Sequence, residues 1–470
     1  MKRIAIIGAG SIVFCKTLML DIMATPELED TEFVLMAPST GKTSQVKAFA
    51  DKVIEQNGLK SKVTVTTDRR EALAGANYVI TSFQVGGVSA FELDYKIPLK
   101  YGIDQCIGDT LGPGGVFRAL RSIPVILDVA RDMEELCPKA TLLNYVNPMA
   151  MICWALGETN IQYVGLCHGV QTTLDLIAGY VAVPKQEIDY VSAGINHMGW
   201  FTELSHQGRD LYPILREKFE QPEFYVNEKV RGEVFRHFGY FMTESTGHLS
   251  EYVPWFRKNR KALDLYCDEP SFGGESGAYY AWCMYVADKY KDQDILKDES
   301  YDLPTRSVEY CAYIIEALET GKTFKFSGNL RNNGMISNLP DECCAEGAVF
   351  ADRTGLHRTI IGEIPPQCAA LNMTNINVQR LAVLAAKSGD PETVVQAIAL
   401  DPLTSSVLTL KEIRDMVTEM LDAQREWLPL FANRSPRPTP DIMIPADIVR
   451  AEVPIDPALA VFSRFGELAK

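Results

Sequence analysis

Two short segments combine a cysteine and histidines in a pattern that suits metal binding. They are Gly165-Leu-Cys167-His168-Gly169 and Gly194-Ile-Asn196-His197-Met198. Thiolate and imidazole groups are good ligands for a divalent transition metal, and two protein ligands leave coordination positions free for substrate oxygens. Two ligands are too few for a structural zinc site. From chemistry alone, a buried cysteine and a hydrogen-bonded core histidine are the more common explanation.

A glycine-containing turn near the N-terminus suits phosphate binding. Gly8 and Gly10 follow an apolar run, and Ser11 precedes a helical pattern. Gly8 permits a tight turn, Gly10 lets the backbone approach a pyrophosphate, and the helix start offers free N–H groups and a partial positive charge. Val13 replaces the third glycine of the dinucleotide-binding fingerprint, so a purely structural turn is the alternative.

The second strand lacks the acidic residue that usually binds the adenosine ribose. Ala37 stands in its place, and Ser39 and Lys42 follow in a polar segment. Hydroxyl groups and a lysine beside the missing acid would accommodate a 2′-phosphate. This gives the hypothesis that NADP is tolerated or preferred. The alternative is a loop that binds the ribose of NAD through backbone groups.

Alternating strand and helix patterns over the first 170 residues would position these segments. Strands are predicted over residues 3–8, 31–36, 62–66, 77–83, 140–145 and 163–166, and helices over 11–24, 43–56 and 116–136. The alternation predicts an α/β fold with a doubly wound parallel sheet, a Rossmann-like domain of the lactate and malate dehydrogenase kind. Such sheets bind ligands at the carboxyl ends of their strands.

The pattern changes in the second half. Strands are predicted over 188–195 and 199–205, extended segments near 322–330 and 346–352, and helices near 227–239, 304–319, 374–387 and 405–424. This order predicts an α+β substrate domain. We therefore expect a dinucleotide-binding domain over residues 1–185, a substrate, metal and oligomerisation domain over 186–432, and a Pro-rich C-terminal tail over 433–470.

Composition restricts the classes of partner. The 470 residues contain 46 Lys and Arg against 61 Asp and Glu, which gives a net charge of −15. This acidic surplus disfavours binding to nucleic acid or to an anionic membrane surface, and no apolar run is long enough to span a bilayer. Eleven cysteines without a secretion signal predict a reducing, cytoplasmic location.

A series of motifs resembles glycoside hydrolase family 4 along the chain up to about residue 430. They are Gly8-Ala-Gly10-Ser11, Gly108-Asp109-Thr-Leu-Gly-Pro-Gly-Gly115, Asn144-Tyr-Val-Asn147-Pro148, Gly165-Leu-Cys167-His168, Gly194-Ile-Asn196-His197, Glu244-Ser245, Gly247-His248, Ser250-Glu251-Tyr252-Val-Pro-Trp255, Gly328-Asn-Leu-Arg331-Asn332 and Thr374-Asn-Ile-Asn-Val-Gln379. Within the family, the likeness is strongest to the α-galactosidase branch.

The resemblance implies a glycosidase that uses NAD and a divalent metal, usually Mn²⁺. In the mechanism it implies, NAD⁺ oxidises C3 of the sugar, a base removes the C2 proton, and the aglycone leaves C1 by elimination. Water then adds and the hydride returns. Cys167 and His197 match the family's metal ligands, and Tyr252 matches its catalytic base.

The resemblance assigns further roles to four polar residues. Asp109 matches a carboxylate that assists Tyr252 or the leaving group, and His168 occupies the position of the proposed acid. Asn147 and Asn196 match substrate-binding positions. The alternative for these residues is an ordinary polar side chain without a catalytic role.

Two positions bear on the sugar. Family members that act on 6-phosphosugars carry an arginine that falls on Phe91 here, and they tend to have aspartate where His168 stands. Phenylalanine cannot pair with a phosphate, so an unphosphorylated α-hexoside is expected, with α-galactosides first.

Several alternatives stay open from the sequence. α-Glucosidase or α-hexuronidase activity by the same mechanism is the nearest, because one contact can change the sugar preference. A hydroxy-acid dehydrogenase of the lactate/malate type and a nicotinamide-sensing protein without turnover are the others. The family likeness also predicts a homodimer or homotetramer.

Overall fold

The computed structural model describes residues 1–289 and 300–454, together with residues 456, 458, 465 and 466. The chain divides into two compact units, Met1–Pro436 and Arg437–Lys470. Residues 437–454 of the smaller unit contain no helix or strand. The candidate site lies in the larger unit.

A parallel sheet forms the first half of the larger unit. Its strands are β1 (Arg3–Ile7), β2 (Glu32–Met36), β3 (Lys62–Thr66), β4 (Tyr78–Thr81), β5 (Thr141–Asn144) and β6 (Gln162–Leu166). They pair in the order β3-β2-β1-β4-β5-β6. The strand order reverses between β1 and β4, which is where such sheets bind ligands. The predicted doubly wound fold is confirmed, and each strand lies within two residues of its predicted position.

Six helices connect these strands, and a seventh follows β6. They are α1 (Ile12–Met23), α2 (Thr40–Asn57), α3 (Arg69–Leu73), α4 (Gly87–Lys100), α5 (Gly112–Leu136), α6 (Met149–Leu156) and α7 (Gly169–Val181). Two of them begin earlier than the sequence predicts. The extended Ser39 is the N-cap of α2, and α5 begins within the glycine-rich segment because Pro113 suits a first helical turn.

Antiparallel strands continue the same sheet beyond β6. They are β7 (Asp189–Ile195), β8 (Met198–His206), β9 (Arg209–Asp210), β10 (Phe241–Met242), β11 (Phe324–Arg331), β12 (Cys344–Asp352) and β13 (Gly355–Arg358). The order continues β6-β11-β12-β7-β8-β10, while β9 pairs with β8 and β13 pairs with β12. Because strands from both sides of residue 185 share one sheet, the predicted domain boundary there stays a prediction.

The second half also contributes helices α8 to α18. They are α8 (Tyr212–Phe219), α9 (Pro222–Tyr225), α10 (Lys229–Phe238), α11 (Thr246–Tyr252), α12 (Arg260–Tyr266), α13 (Ala278–Lys289), α14 (Cys311–Thr320), α15 (Pro366–Ser388), α16 (Pro391–Ala399), α17 (Pro402–Val407) and α18 (Leu410–Ala423). The single helix predicted over 405–424 is two helices, because Thr409 and Glu412 form a capping box that starts α18. Among the described residues, no helix combines the length and hydrophobicity that crossing a bilayer requires.

Candidate active site

Three ligand-type side chains converge where β6, the β7–β8 turn and the start of α11 meet. Cys167 directly follows β6, His197 lies in the turn between β7 and β8, and Glu244 precedes α11. The Cys167 sulfur, a His197 ring nitrogen and a Glu244 carboxylate oxygen all lie within 4.8 Å of one another. The sequence predicts the first two residues as ligands, whereas Glu244 was missed.

Glu244 belongs to a group of side chains at and before α11. His248 and Tyr252 are four residues apart on one face of the helix, while Glu244 precedes the helix and contacts His248. Glu244 Oε1 lies 2.9 Å from His248 Nδ1 and accepts the Ser245 N–H at 2.8 Å. The rings of His197, His248 and Tyr252 lie nearly parallel to one another. Their centroids are 4.7 Å apart for His197 and His248, 5.9 Å for His248 and Tyr252, and 6.3 Å for His197 and Tyr252. Both Glu244 and His248 stand in motifs of the family resemblance, and that is the sequence signal that could have found them.

Hydrogen bonding orients the ring of His197. Thr110 Oγ1 donates to Asp109 Oδ1 at 2.8 Å and lies 2.9 Å from His197 Nδ1. Since the single hydroxyl proton points at Asp109, we assign the ring proton to Nδ1, which donates to Thr110. The lone pair of Nε2 then faces Glu244, whose Oε2 is 3.7 Å away. His197 therefore presents a ligand nitrogen to the cluster.

Asp109 is buried beside this cluster, in the loop that leads into α5. Asn147 Nδ2 donates to its Oδ2 at 3.0 Å, and Arg118 Nη1 lies 3.9 Å from the same oxygen. Burial alone would raise the pKa of Asp109. The imidazole of His248, whose Nε2 lies 3.8 Å from Asp109 Oδ1, and the charge of Arg118 outweigh burial and hold that pKa well below its ordinary value. Asp109 is thus a carboxylate at neutral pH.

Two features fix the loop around Thr110. The buried carboxylate of Glu251, in α11, accepts the backbone N–H groups of Ile107 and Gly108, each at 3.1 Å. Gly115 lets α5 approach the loop closely, because a Cβ there would lie 2.4 Å from the carbonyl carbon of Thr110. The loop is therefore tied to the same helix that carries Tyr252.

Burial and neighbouring charges set the protonation of the three ligand-type residues. Burial lowers the pKa of His197, which stays neutral. Burial alone would raise the pKa of Glu244, but the charge of His248, its hydrogen bond to Glu244 and the Ser245 N–H outweigh burial and hold that pKa below its ordinary value. Burial, with the carboxylates of Glu346 and Glu244, raises the pKa of Cys167 well above its ordinary value. A thiol among carboxylates ionises when a cation is bound beside it, so this donor set fits a divalent metal.

Asn196 adds a second observation that points to a ligand. It lies next to His197 in the β7–β8 turn and is buried. Neither polar atom of its carboxamide has a hydrogen-bond partner among the described residues. Buried polar groups are normally paired, so an oxygen-bearing ligand would complete this site.

Tyr252 lies at the end of α11. Its Oη is 3.4 Å from His197 Nδ1, and its backbone carbonyl accepts a hydrogen bond from Asn375 of α15 at 3.0 Å. Burial, together with the carboxylates of Glu251 and Asp109, raises the pKa of Tyr252 well above its ordinary value. A metal cation bound by the neighbouring ligand set would lower the pKa of Tyr252 and so offset that effect.

His168 is more exposed than the other predicted catalytic and metal-binding residues. Its side chain is 58% exposed, and its Nδ1 lies 3.3 Å from Glu309 Oε1. This partner raises the pKa of His168. The structure therefore places the imidazole at the exposed edge of the site, although the residue directly follows Cys167.

The glycine turn lies at the end of β1. Gly8 has φ 95°, and a Cβ there would lie 2.6 Å from the carbonyl oxygen of Ser82. A Cβ on Gly10 would contact only the Cβ of Ala37, at 4.0 Å. Ser11 is exposed and precedes α1 without a side-chain capping bond. The space around Gly10 and the free start of α1 suit a phosphate group.

The two polar residues predicted near the ribose lie at the start of α2. Ser39 is exposed and makes no capping hydrogen bond through its side chain, and Lys42 is exposed in the first turn. The first turn of α2 contains no acidic residue. Its free N–H groups and Lys42 are therefore open to an anion beside the end of β2.

Comparison with known proteins identifies the family. The model described as "Family 4 glycosyl hydrolase" matches residues 3–183, and "Family 4 glycosyl hydrolase C-terminal domain" matches residues 192–404. The chain belongs to glycoside hydrolase family 4. The resemblance seen in the sequence is confirmed, and this family 4 enzyme is a glycoside hydrolase.

Known proteins of similar sequence align with most of this family 4 enzyme. It is 42% identical to an α-galactosidase of Rhizobium meliloti (strain 1021) over 440 residues, which cover 92% of this chain and 90% of the relative. It is 39% identical to an α-galactosidase of Bacillus subtilis (strain 168) over 440 residues, which cover 92% of this chain and 100% of the relative. A 6-phospho-β-glucosidase of Thermotoga maritima, solved with manganese, NAD⁺ and glucose-6-phosphate, shares the fold with a TM-score of 0.74. It is 22% identical, and the match covers 90% of this chain and 99% of that structure.

Proposed function

We propose that this family 4 hydrolase is an α-galactosidase that cleaves unphosphorylated α-galactosides. One observation carries the proposal: a thiol, an imidazole and a carboxylate converge beside a buried tyrosine, in a chain 42% identical to an α-galactosidase over 92% of its length. Phe91, at the position compared with the phosphate-binding arginine, is fully buried, which supports a sugar without phosphate. α-Glucosides and α-hexuronides are the alternative substrates.

We infer that the enzyme uses a divalent metal such as Mn²⁺ and a nicotinamide cofactor. Cys167, His197 and Glu244 would hold the metal, and residues 8–11 with the start of α1 would hold the pyrophosphate. When bound, the two groups supply reversible hydride transfer at the sugar and polarisation of its oxygens. Ser39 and Lys42 support the further proposal that a 2′-phosphate, and hence NADP, is accepted.

The protein residues would move protons around the sugar. Tyr252 Oη is the proposed base for the C2 proton, and it lies beside the ligand set at 3.4 Å from His197 Nδ1. The carboxylate of Asp109, paired with His248, would accept or pass on a proton near the leaving group. His168 at the exposed edge is the proposed donor to the departing aglycone.

Two asparagines would bind the substrate. Asn147 reaches the site through its bond to Asp109, and Asn196 offers an unpaired buried carboxamide to a sugar hydroxyl. A homodimer or homotetramer, and a cytoplasmic location, are proposed on the same family likeness.

A panel of aryl glycosides tests the function. With NAD or NADP, Mn²⁺ and a thiol reductant, we expect cleavage of the α-galactoside without net NADH. The Tyr252→Phe variant should lose about 10²- to 10⁴-fold in kcat, the usual contribution of a general base, while it still binds NAD. Faster cleavage of a 6-phosphoglycoside, an α-glucoside or an α-hexuronide would contradict the assignment. NADH accumulation with a hydroxy acid would indicate a dehydrogenase instead.

A further inference from the structure

A short path of contacts leads from the Asp109 loop to an exposed aromatic group on α13. Tyr279 packs against Cys106 and Ile107, which lie three and two residues before Asp109. Its backbone N–H donates to the Cys106 carbonyl at 3.1 Å. The Tyr279 ring stacks on that of Trp282, with centroids 5.9 Å apart and planes 14° from parallel. The start of α13 is therefore fixed to the candidate catalytic loop.

The outer part of this aromatic group is open to solvent. The side chain of Phe272 lies 6.3 Å from Tyr279, measured between ring centroids, and is 39% exposed. Trp282 is 49% exposed. Isolated exposed apolar residues are common, whereas contiguous exposed rings beside a site mark a surface that binds something.

The inner part of the group reaches the charged residues of the site. Phe91 contacts Tyr279 edge to face at 5.4 Å, and the guanidinium of Arg118 lies over the Phe91 ring at 5.7 Å. Arg118 is buried, its Nη1 is 3.9 Å from Asp109, and its Nε and Nη1 have no hydrogen-bond partner among the described residues. Unpaired donors at the base of the aromatic group favour an occupant that carries oxygen atoms.

We propose that Phe272, Tyr279 and Trp282 form an aglycone subsite, a platform for the sugar that leaves from C1. The proposal rests on the α-galactosidase function proposed above. A pyranose ring has an apolar C–H face that stacks on aromatic rings, and hydroxyl groups that accept hydrogen bonds at its rim. The platform offers rings outside and unpaired guanidinium donors inside, and it continues directly from the Asp109 loop.

A second copy of the chain is the competing occupant of these rings. A protein interface would need apolar area but no connection to the catalytic loop, and no unpaired donors at its base. The contacts of Tyr279 with Ile107 and Phe91 therefore favour the sugar.

Two α-galactosides that differ only in the aglycone test the platform. For Trp282→Ala, we expect kcat/KM on a disaccharide with a glucose aglycone to fall about tenfold, or about 1.4 kcal/mol, mainly through KM. The same variant should cleave methyl α-galactoside like the unmodified enzyme, and Trp282→Phe should restore part of the loss. Tyr285→Ala is the matched control, because Tyr285 lies on the same helix, is 64% exposed and makes no ring contact among the described residues.

The outcomes separate the possible failures. Equal losses on both galactosides, or no loss on either, would overturn the platform while leaving the α-galactosidase function intact. If Trp282→Ala sedimented as a smaller particle than the unmodified enzyme, with unchanged aglycone preference, the rings would be assigned to an interface between copies. If the unmodified enzyme cleaved neither galactoside, the proposed function would fail, and the platform for its aglycone would fail with it.

Discussion

The glycine turn after β1 and the cluster after β6 lie at the same edge of the sheet but are built from different parts of the chain. The turn offers backbone groups around Gly10, where a Cβ would contact only Ala37 at 4.0 Å. The cluster offers buried side-chain atoms from Cys167, His197 and Glu244. A site made of backbone is damaged by adding atoms, and a site made of side chains is damaged by removing them.

The largest effect is expected from removing a side chain of the cluster. Cys167→Ala should weaken Mn²⁺ binding by more than about 100-fold, since even partners outside the ligand set contribute 10- to 100-fold. Titration calorimetry with Mn²⁺ alone measures this, and NAD binding should not change. Cys368→Ala, at a buried cysteine of α15 outside the cluster, is the control. Equal Mn²⁺ affinity in the Cys167 variant would show that the cluster is not the metal site.

A smaller effect is expected from adding a methyl group to the turn. Gly10→Ala should weaken NAD binding about tenfold, about 1.4 kcal/mol, without changing the free energy of unfolding, because the methyl group would fill only open space. Gly8→Ala should instead destabilise the fold by about 1–3 kcal/mol, because its φ is 95° and its Cβ would lie 2.6 Å from a carbonyl oxygen. Chemical unfolding and NAD titration of both variants check this. Unchanged NAD binding by Gly10→Ala would indicate a purely structural turn.

The smallest effect is expected at the start of α2, where a single exposed side chain acts. Lys42→Ala should weaken NADP binding roughly two- to fivefold, about 0.4–1 kcal/mol, as expected for one exposed charge at a helix start, and should leave NAD unaffected. Lys47→Ala, further along α2 and paired with Asp51, is the control. If NAD bound at least tenfold more tightly than NADP to the unmodified enzyme, the NADP hypothesis would fail.

Much of the parallel sheet could be predicted because its strands are buried on both faces. β4 and β5 are buried at every residue, which produces the apolar runs seen in the sequence. Helix starts were less predictable, because glycine and proline disfavour helices in general but suit a first turn, as at Gly112 and Pro113. The pattern over 405–424 predicted one helix and did not indicate the break before α18. The capping box that starts α18 depends on side-chain hydrogen bonds, which the spacing of apolar residues does not predict.

The motifs in the sequence predicted several residues of the candidate site. The contacts between these residues depend on the fold and could not be predicted. Cys167, His197, Asp109 and Tyr252 stand in motifs, and the structure brings them together, while their roles stay predictions. Glu244 also stands in a motif, but its residue type does not mark it as a ligand, because acidic residues are common and its distance to Cys167 depends on how α11 packs beside β6. The contact of His168 with Glu309 likewise joins residues that are distant in the sequence.

The pairing of β11 with β6 has a consequence for how the chain is made. Gly328 pairs with Leu166, so the outer edge of β6 has no partner until β11 has been synthesised. At about 5–20 residues per second, that interval lasts on the order of ten seconds. An open strand edge is a template for pairing with another chain. Each nascent molecule therefore exposes this strand edge during its synthesis, before β11 covers the edge in the folded enzyme.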